Sequence, residues 1–308
     1  MGNQKKFARA EVARGVNAKT SRRKRLRRSQ EFRVGNPEMH AMIRIAIRPV
    51  TTVLALVLLL AGCNSKKEIE RPADEVIEQT YKVEPNATVR IANPLGSVAI
   101  RGEDISEVRM RAVKSASSAA QLKDITVDVT AEPGDVLIKT AFPRQKKLPF
   151  FAGTSAVDYT LSVPRSAMIA RVDVDDGKVS IEGIQNADVR ANVVNGQLEI
   201  RNCCGDLKVA VANGALNLVY GRCEGPYFSA DAQVLNGDAH ISIVRGASLR
   251  VRAETLNGKI INDIAPTVEL NGQPSRKVDI PLGAGRRCEL TARVTSGDIT
   301  IVAAEPGA

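Results

Sequence analysis

Three aspartates, Asp173, Asp175 and Asp176, lie directly ahead of Gly177, and their spacing comes nearest to catalytic chemistry. A pair of carboxylates can hydrolyse a glycosidic bond when one acts as an acid and the other as a base or nucleophile. Alternation along a strand would place Asp173 and Asp175 on the same outward face, with Asp176 at a turn. The spacing differs from the Asp-x-Asp-x-Asp-Gly pattern of a calcium loop, so turn formation is favoured over an acid pair or a weak cation site.

Histidine is scarce, because the chain has two and only His240 lies beyond residue 62. Alternation between Ala239 and Ile241 places His240 on the outside of a strand. A Ser-His-Asp triad or a His-rich metal centre would depend on this one residue. The sequence also lacks a phosphate-binding loop, a dinucleotide fingerprint and a nucleophile elbow. We therefore predict no catalytic residue, no metal site and no cofactor.

A short apolar run, residues 50–62, ends directly before a cysteine and follows Arg44 and Arg48. A membrane-spanning helix needs about 20 residues, so the run fits the apolar part of a secretory signal peptide better. The end of the run resembles the lipobox of bacterial lipoproteins, through Leu60, Ala61, Gly62 and Cys63. That resemblance implies transfer of a diacylglyceryl group to the Cys63 sulfur and cleavage before Cys63. The following Asn64 would favour export to the outer membrane.

This leader divides the chain into segments. We interpret residues 1–41 as a disordered basic extension or a start-site artefact, with a nucleic-acid or membrane-surface patch as the alternative. Residues 42–62 would form the signal peptide and residues 63–75 a lipid-anchored tether. Of the 44 Lys and Arg residues, 14 precede Cys63, against three of the 34 acidic residues, so the rest is nearly neutral. The net charge of +10 therefore gives no support for nucleic-acid binding.

The second half of the chain repeats with a period of roughly 20 residues, centred on glycines that Asn usually precedes. Aliphatic residues recur two and four positions after each glycine and three and five positions before it. Asn262 is the exception four positions after, and Thr255 stands among valines three positions before. The segment around Gly96 is a weaker, earlier copy of this repeat. The turn residues that define the repeats are Asn195, Gly196, Asn213, Gly214, Asn236, Gly237, Asn257, Gly258 and Gly297.

These repeats predict an all-β protein with one of two architectures. Asn-Gly between alternating strands is a hairpin signal, because a type I′ turn needs positive φ twice, so a β-meander or sandwich of hairpins is the alternative. Similar corners at every repeat favour a right-handed β-solenoid-like stack with small aliphatic residues inside. Residues 76–168 would form an irregular β-rich N-terminal part, and residues 169–308 the repeat part.

Four cysteines follow Cys63, and export would place them in an oxidising compartment. Cys203 and Cys223 each stand two residues before a glycine, so one coil per repeat would stack them about 4.8 Å apart. A Cys203–Cys223 disulfide between neighbouring coils is one hypothesis. Buried thiols that fill space as small apolar groups are the alternative.

The Asn-Gly-x-Leu-x-Ile units, the Val163-Pro164 pair and the closing segment 295–301 resemble the bacterial putative-adhesin β-repeat domain. The resemblance covers roughly residues 80–302. It implies a β-repeat fold in a protein that is often exported or lipid-anchored, and it implies no defined biochemical activity. Residues 263–287 depart from the repeat and are expected to form a loop or a broken coil.

We therefore predict a lipid-anchored protein of the bacterial cell envelope, at the periplasmic face of the outer membrane or at the cell surface. Its coils would serve as a non-catalytic binding, adhesin-like or scaffolding surface. The expected partners are the membrane, through the lipid anchor, and an envelope protein or glycan, with no nucleic acid. The alternative is an envelope carbohydrate-active enzyme that uses surface carboxylates such as Asp173 and Asp175.

Overall fold

The computed structural model describes residues 73–143, 155–185, 187–221, 228–264, 276–283 and 288–304. Leu60, Ala61, Gly62 and Cys63 of the predicted lipobox lie outside these residues, as does Cys223. Within them, 17 strands form one sheet, and the single helix is short. No helix in the described part is both long and apolar enough to cross a membrane.

The first elements form the irregular N-terminal part and the first coil. They are β1 (Ala73–Lys82), β2 (Thr88–Leu95), β3 (Val98–Glu103), β4 (Glu107–Ala116), α1 (Ala119–Asp124), β5 (Thr126–Glu132), β6 (Asp135–Ala141) and β7 (Ala156–Pro164). The remaining strands form the other coils and one edge. They are β8 (Met168–Glu182), β9 (Val189–Arg201), β10 (Asp206–Tyr220), β11 (Phe228–Asn236), β12 (Ala239–Val244), β13 (Leu249–Asn257), β14 (Ile260–Asn262), β15 (Lys277–Leu282), β16 (Cys288–Ser296) and β17 (Ile299–Ala304).

Each coil turns a corner at its glycine. In β8, Val172 and Val174 are buried ahead of Gly177, and Val179 and Ile181 are buried behind it. A straight strand would put these two pairs on opposite sides of the sheet, because successive side chains alternate. The change of alternation at Gly177 therefore bends the sheet, so that the strand segments before the corner (the first face) and after it (the second face) enclose one core.

Neighbouring coils pair in parallel. β8 pairs with β9 and β9 with β10, with Gly177, Gly196 and Gly214 aligned across the ladder. The weak early copy is a full coil, since β2 and β3 both pair with β8. The predicted solenoid-like stack is thus confirmed, and the alternative of Asn-Gly hairpins is wrong, because hairpins would pair consecutive strands antiparallel.

The coils do not stack in sequence order. β16 pairs with β11 on one side and with β13 on the other, and β17 lies likewise between β12 and β14. The C-terminal coil is therefore inserted between two coils that precede it in the chain. The doubled spacing before Gly297 reflects the segment that includes β15, which pairs antiparallel with β13 at one edge of the first face.

The core consists of aliphatic columns that run along the stack. The position five residues before each corner glycine holds Ile, Val or Ala, and these side chains are buried in every coil, as Val172, Ala191 and Ala232 illustrate. Small side chains suit the narrow interior near the bend, while Leu and Ile fill the position four residues after the glycine. Asn262, the exception, lies in β14, the last described strand of the second face, where no further coil has to be covered.

Candidate functional site

The corners form a continuous line along the stack, and close backbone contact explains its glycines. Gly196 has φ 139°, a conformation that other residues rarely adopt. A Cβ on Gly196 would overlap the carbonyl oxygen of Gly177, and one on Gly214 would overlap that of Gly196. Glycine is required here because the neighbouring backbone occupies the space of a side chain.

Side chains beside these glycines form a hydrogen-bonded ladder at the surface. The Asn195 amide donates to Asp176 Oδ1 at 2.8 Å, Asn213 donates to Asn195 Oδ1 at 2.9 Å, and Asn236 donates to Asn213 Oδ1 at 3.0 Å. Asp176 therefore ends the ladder as an acceptor, in the position that Asn occupies in later coils. Its carboxylate serves turn structure, the interpretation that the sequence favoured.

The side chain three residues before each corner glycine points into the core, and we call this set of side chains the inner column. It is valine in most coils but polar in the two end coils. Asn93 replaces valine in the first coil, and its amide donates to the carbonyl oxygen of Val157 at 2.8 Å. Thr255 replaces valine in the coil at the other end, and its hydroxyl donates to the carbonyl oxygen of Gly297 at 2.8 Å. Both are buried. These hydrogen bonds offset the cost of burying the Asn93 amide nitrogen and the Thr255 hydroxyl, whereas Asn93 Oδ1 is buried without a hydrogen-bond partner. Both polar residues lie in end coils of the stack.

A row of uncharged residues follows the corner line on the outside of the first face. We name this row the corner ridge, and it comprises the residues two positions before the glycine in the five coils from Gly196 onward. Its members are Val194, Ala212, Leu235, Thr295 and Leu256. In the adjoining Gly177 coil the same position holds the exposed Asp175, which ends the uncharged row. Beside it, between Val194 and Leu235, a shallow groove of about 420 Å³ has Ala210 and Ala212 in its lining. Sequence reasoning did not single out this position, although the repeat register makes it visible.

The aspartates with the spacing of an acid pair lie on the outer surface. Asp173 forms an ion pair with Arg171 and accepts a 3.0 Å hydrogen bond from Asn192. Asp175 is exposed two positions further along the strand. Because Asp173 is held by a cation and an amide, it fits a structural ion pair better than a catalytic acid.

A column of basic residues, also missed from the sequence, runs beside this pair. Arg90 and Arg171 are cross-strand neighbours, as are Arg190 and Lys208. Nearby carboxylates accompany them, such as Asp188 for Arg190 at 3.4 Å and Asp206 for Lys208 at 3.3 Å. The part of the first face around Arg190 and Lys208 therefore carries matched charges.

The second face carries a smaller charged cluster and the one described histidine. Glu199 lies between Arg201, at 2.5 Å, and Lys178, at 3.2 Å. Burial raises the pKa of Glu199, but hydrogen bonds and charges from both cations outweigh it and hold the pKa below its usual value. His240 is exposed on the same face. Within the described ranges, no cluster of three or more His, Cys, Asp or Glu residues is arranged to hold a metal ion.

The cysteines differ from the predicted pairing. Cys204 is disulfide-bonded, whereas the Cys203 sulfur carries a thiol that donates to the carbonyl oxygen of Arg201 at 3.3 Å. Burial raises the pKa of Cys203 to about 12. Asn202 adopts a left-handed conformation, φ 49°, which breaks the alternation of β9 and turns Cys203 into the core. The alternative interpretation, a buried thiol that fills space, describes Cys203.

Several solved structures are similar to this chain. One is described as a putative cell adhesion protein from Clostridium sporogenes, with 12% identity, a TM-score of 0.41, and coverage of 75% of this chain and 100% of that one. Another is a putative adhesin from Bacteroides fragilis, with 12% identity, a TM-score of 0.28, and coverage of 75% and 99%. A third is a putative lipid binding protein from Parabacteroides distasonis, with 11% identity, a TM-score of 0.23, and coverage of 75% and 96%. A search of the curated proteins finds no match.

A family model matches the coil stack itself. It spans residues 86–302, from the turn before β2 to the last strand, and is described as Toastrack DUF4097. The match covers well over half of the chain and agrees with the β-repeat family that the Asn-Gly units resemble. The chain therefore belongs to the Toastrack DUF4097 family.

Proposed function

We propose that this protein is a lipid-anchored component of the bacterial cell envelope and that its coil stack is a non-catalytic binding or scaffolding surface. The observation that carries the anchor is the sequence Leu60-Ala61-Gly62-Cys63 at the end of a short apolar run. The cysteine thiol is the nucleophile that would accept the lipid, and acyl chains bury enough CH₂ groups to hold a protein on a membrane.

The coil stack supports a binding role through its two outer faces. Equivalent residues of adjacent coils repeat about every 4.8 Å along these faces, which suits contact with an extended partner. The described aromatic residues in the coils, Tyr220 and Phe228, are buried against each other with ring centroids 4.6 Å apart. They are therefore not placed to stack on a sugar, as a carbohydrate-active site would require.

Mass spectrometry of the mature N-terminus tests the anchor. We expect a chain that begins at Cys63 and carries diacylglycerol on its sulfur. Cys63→Ala should abolish both cleavage and lipid attachment, whereas Cys288→Ala, which removes a described thiol, should leave them unchanged. A mature chain with an intact leader, or one cleaved without lipid, would overturn the proposal.

Incubation of the purified lipoprotein with envelope glycans tests the non-catalytic role. We expect no glycan product. Turnover that is lost in Asp173→Asn and kept in the control Asp231→Asn, another partly exposed aspartate in an ion pair, would instead establish the carbohydrate-active alternative.

A further inference from the structure

We propose that the corner ridge rests on the lipid membrane that holds the anchor, an inference that depends on the proposed lipidation of Cys63. The ridge contains much of the exposed apolar surface in the described residues. Val194, Leu235 and Leu256 are 43%, 52% and 63% exposed. They lie in one row along the stack, interrupted by Ala212 and Thr295. Aligned apolar side chains on a soluble surface mark an interaction site more strongly than scattered ones do.

The ridge lies within a band that carries no charge. The residues beside it, one position before each glycine, are Asn or Ser from the Gly196 coil to the end of the stack, and the glycines follow. Charges border this band: Asp238 and Lys259 directly follow their glycines, and Asp175 and Asp176 take the band's positions in the adjoining Gly177 coil. Contact with lipid along this band would remove water from amide and hydroxyl groups but from no charged group.

The chain enters the fold at the same edge. Ala73 pairs with Ala116, and the neighbouring Ser115 pairs with Ala156. The next residue, Val157, contacts the Gly96 corner. The register thus places the start of β1 on the corner side of the stack, and this position identifies the occupant as the anchoring membrane.

The tether is long enough for this arrangement. About ten residues separate Cys63 from Ala73 and reach at most roughly 35 Å. Between β1 and β9 lie β4, β7, β3 and β8 on the second face, so about 24 Å separates β1 from the first ridge coil. The ridge alone would bind lipid weakly, but a tether of this length keeps it at high effective concentration near the membrane.

A tryptophan reporter tests the inference directly, because the chain contains no Trp. Thr295→Trp places the reporter on the ridge. Ser229→Trp places it on the same face but at the far end of a neighbouring strand. The lipidated proteins are reconstituted in vesicles of phosphatidylethanolamine and phosphatidylglycerol with brominated acyl chains. We expect a blue shift and quenching for Thr295→Trp and neither for Ser229→Trp.

A ridge variant and a second anchor make the outcome decisive. Val194→Ser, Leu235→Ser and Leu256→Ser together, added to Thr295→Trp, should abolish the quenching while circular dichroism stays unchanged. A polyhistidine segment placed before Asn64, bound to nickel-chelating lipid, separates this inference from the proposed function, because it supplies an anchor even if Cys63 is never acylated. Equal quenching at both reporter positions would overturn the inference. A concentration-dependent blue shift without vesicles would do so as well, in favour of a second copy of the chain.

Discussion

The backbone N–H of Gly237 donates a 2.8 Å hydrogen bond to the carbonyl oxygen of Ser296, and the N–H of Gly297 donates to Asn257 at 2.9 Å. The C-terminal coil is therefore held by a coil on either side. In most solenoids the last repeat contacts one neighbour only. In this protein, deletion of the C-terminal coil would remove a coil from inside the stack.

Truncation after Gly283, which removes β16 and β17, should leave a shorter but folded stack. Asn236 and Asn257 both align with Ser296, so β13 can pair directly with β11 in the same register. We expect the free energy of unfolding to fall by on the order of 5 kcal/mol, from lost aliphatic burial. Hydrogen exchange should still show protected amides in β13. Exchange of β13 at unfolded rates would contradict this prediction.

Gly196→Ala should destabilise the protein by about 3 kcal/mol or more, because it combines a disfavoured φ with overlap against the Gly177 carbonyl. Gly246→Ala is the control, since Gly246 also has positive φ but no atom lies near the added Cβ. Gly246→Ala should lower the free energy of unfolding by only about 1 kcal/mol. Urea denaturation measures both variants, and equal losses would argue against backbone contact as the cause.

The polar ends of the inner column predict a reciprocal pair of substitutions. Thr255→Val should cost about 1 kcal/mol, because it removes the hydrogen bond to Gly297. Val234→Thr, at the equivalent position inside the stack, should cost about 2 kcal/mol because it buries a hydroxyl where the other coils have valine. A Val234→Thr protein as stable as wild type would show that an interior carbonyl can accept the hydroxyl.

Peptide mapping under non-reducing conditions should find Cys204 in the disulfide, with Cys223 as the expected partner. Cys203→Ser should keep this disulfide and Cys204→Ser should lose it. Because the pKa of Cys203 is raised to about 12, its thiol should resist alkylation at pH 8 in the folded protein and react after unfolding. A peptide that links Cys203 to Cys223 would contradict this assignment.

Glu199 predicts a defined pH dependence. Its pKa is lowered in the folded state, so its ion pairs stabilise the protein in full above its usual pKa of 4.5 and lose effect as pH falls through the lowered value. Glu199→Gln should therefore cost up to about 1 kcal/mol at pH 7, and wild type and variant should converge in acid. Glu182→Gln is the control, because Glu182 Oε2 lies 3.8 Å from Nε of the well exposed Arg101, and it should change stability little at any pH. A cost for Glu199→Gln that persists in acid would rule out the ion pairs as its source.

The sequence by itself determined the coil and its register. The glycine, the preceding Asn and the aliphatic positions around them specify where each chain segment bends and which side chains face inward, because these are properties of consecutive residues. Thr255 and Asn262 were visible as exceptions to the pattern, but only the structure showed that their coil lies at the end of the stack. The family resemblance followed from the same residues.

Only the tertiary structure decided which coils are neighbours. All coils present nearly the same columns, so the repeat pattern cannot distinguish Gly258 from Gly297 as the neighbour of Gly237. The sequence also could not show which of Cys203 and Cys204 forms the disulfide, because the left-handed turn at Asn202 changes which side chain faces the core. The corner ridge arises in the same way: its residues lie far apart in sequence and become one surface only when parallel pairing brings the coils about 4.8 Å apart.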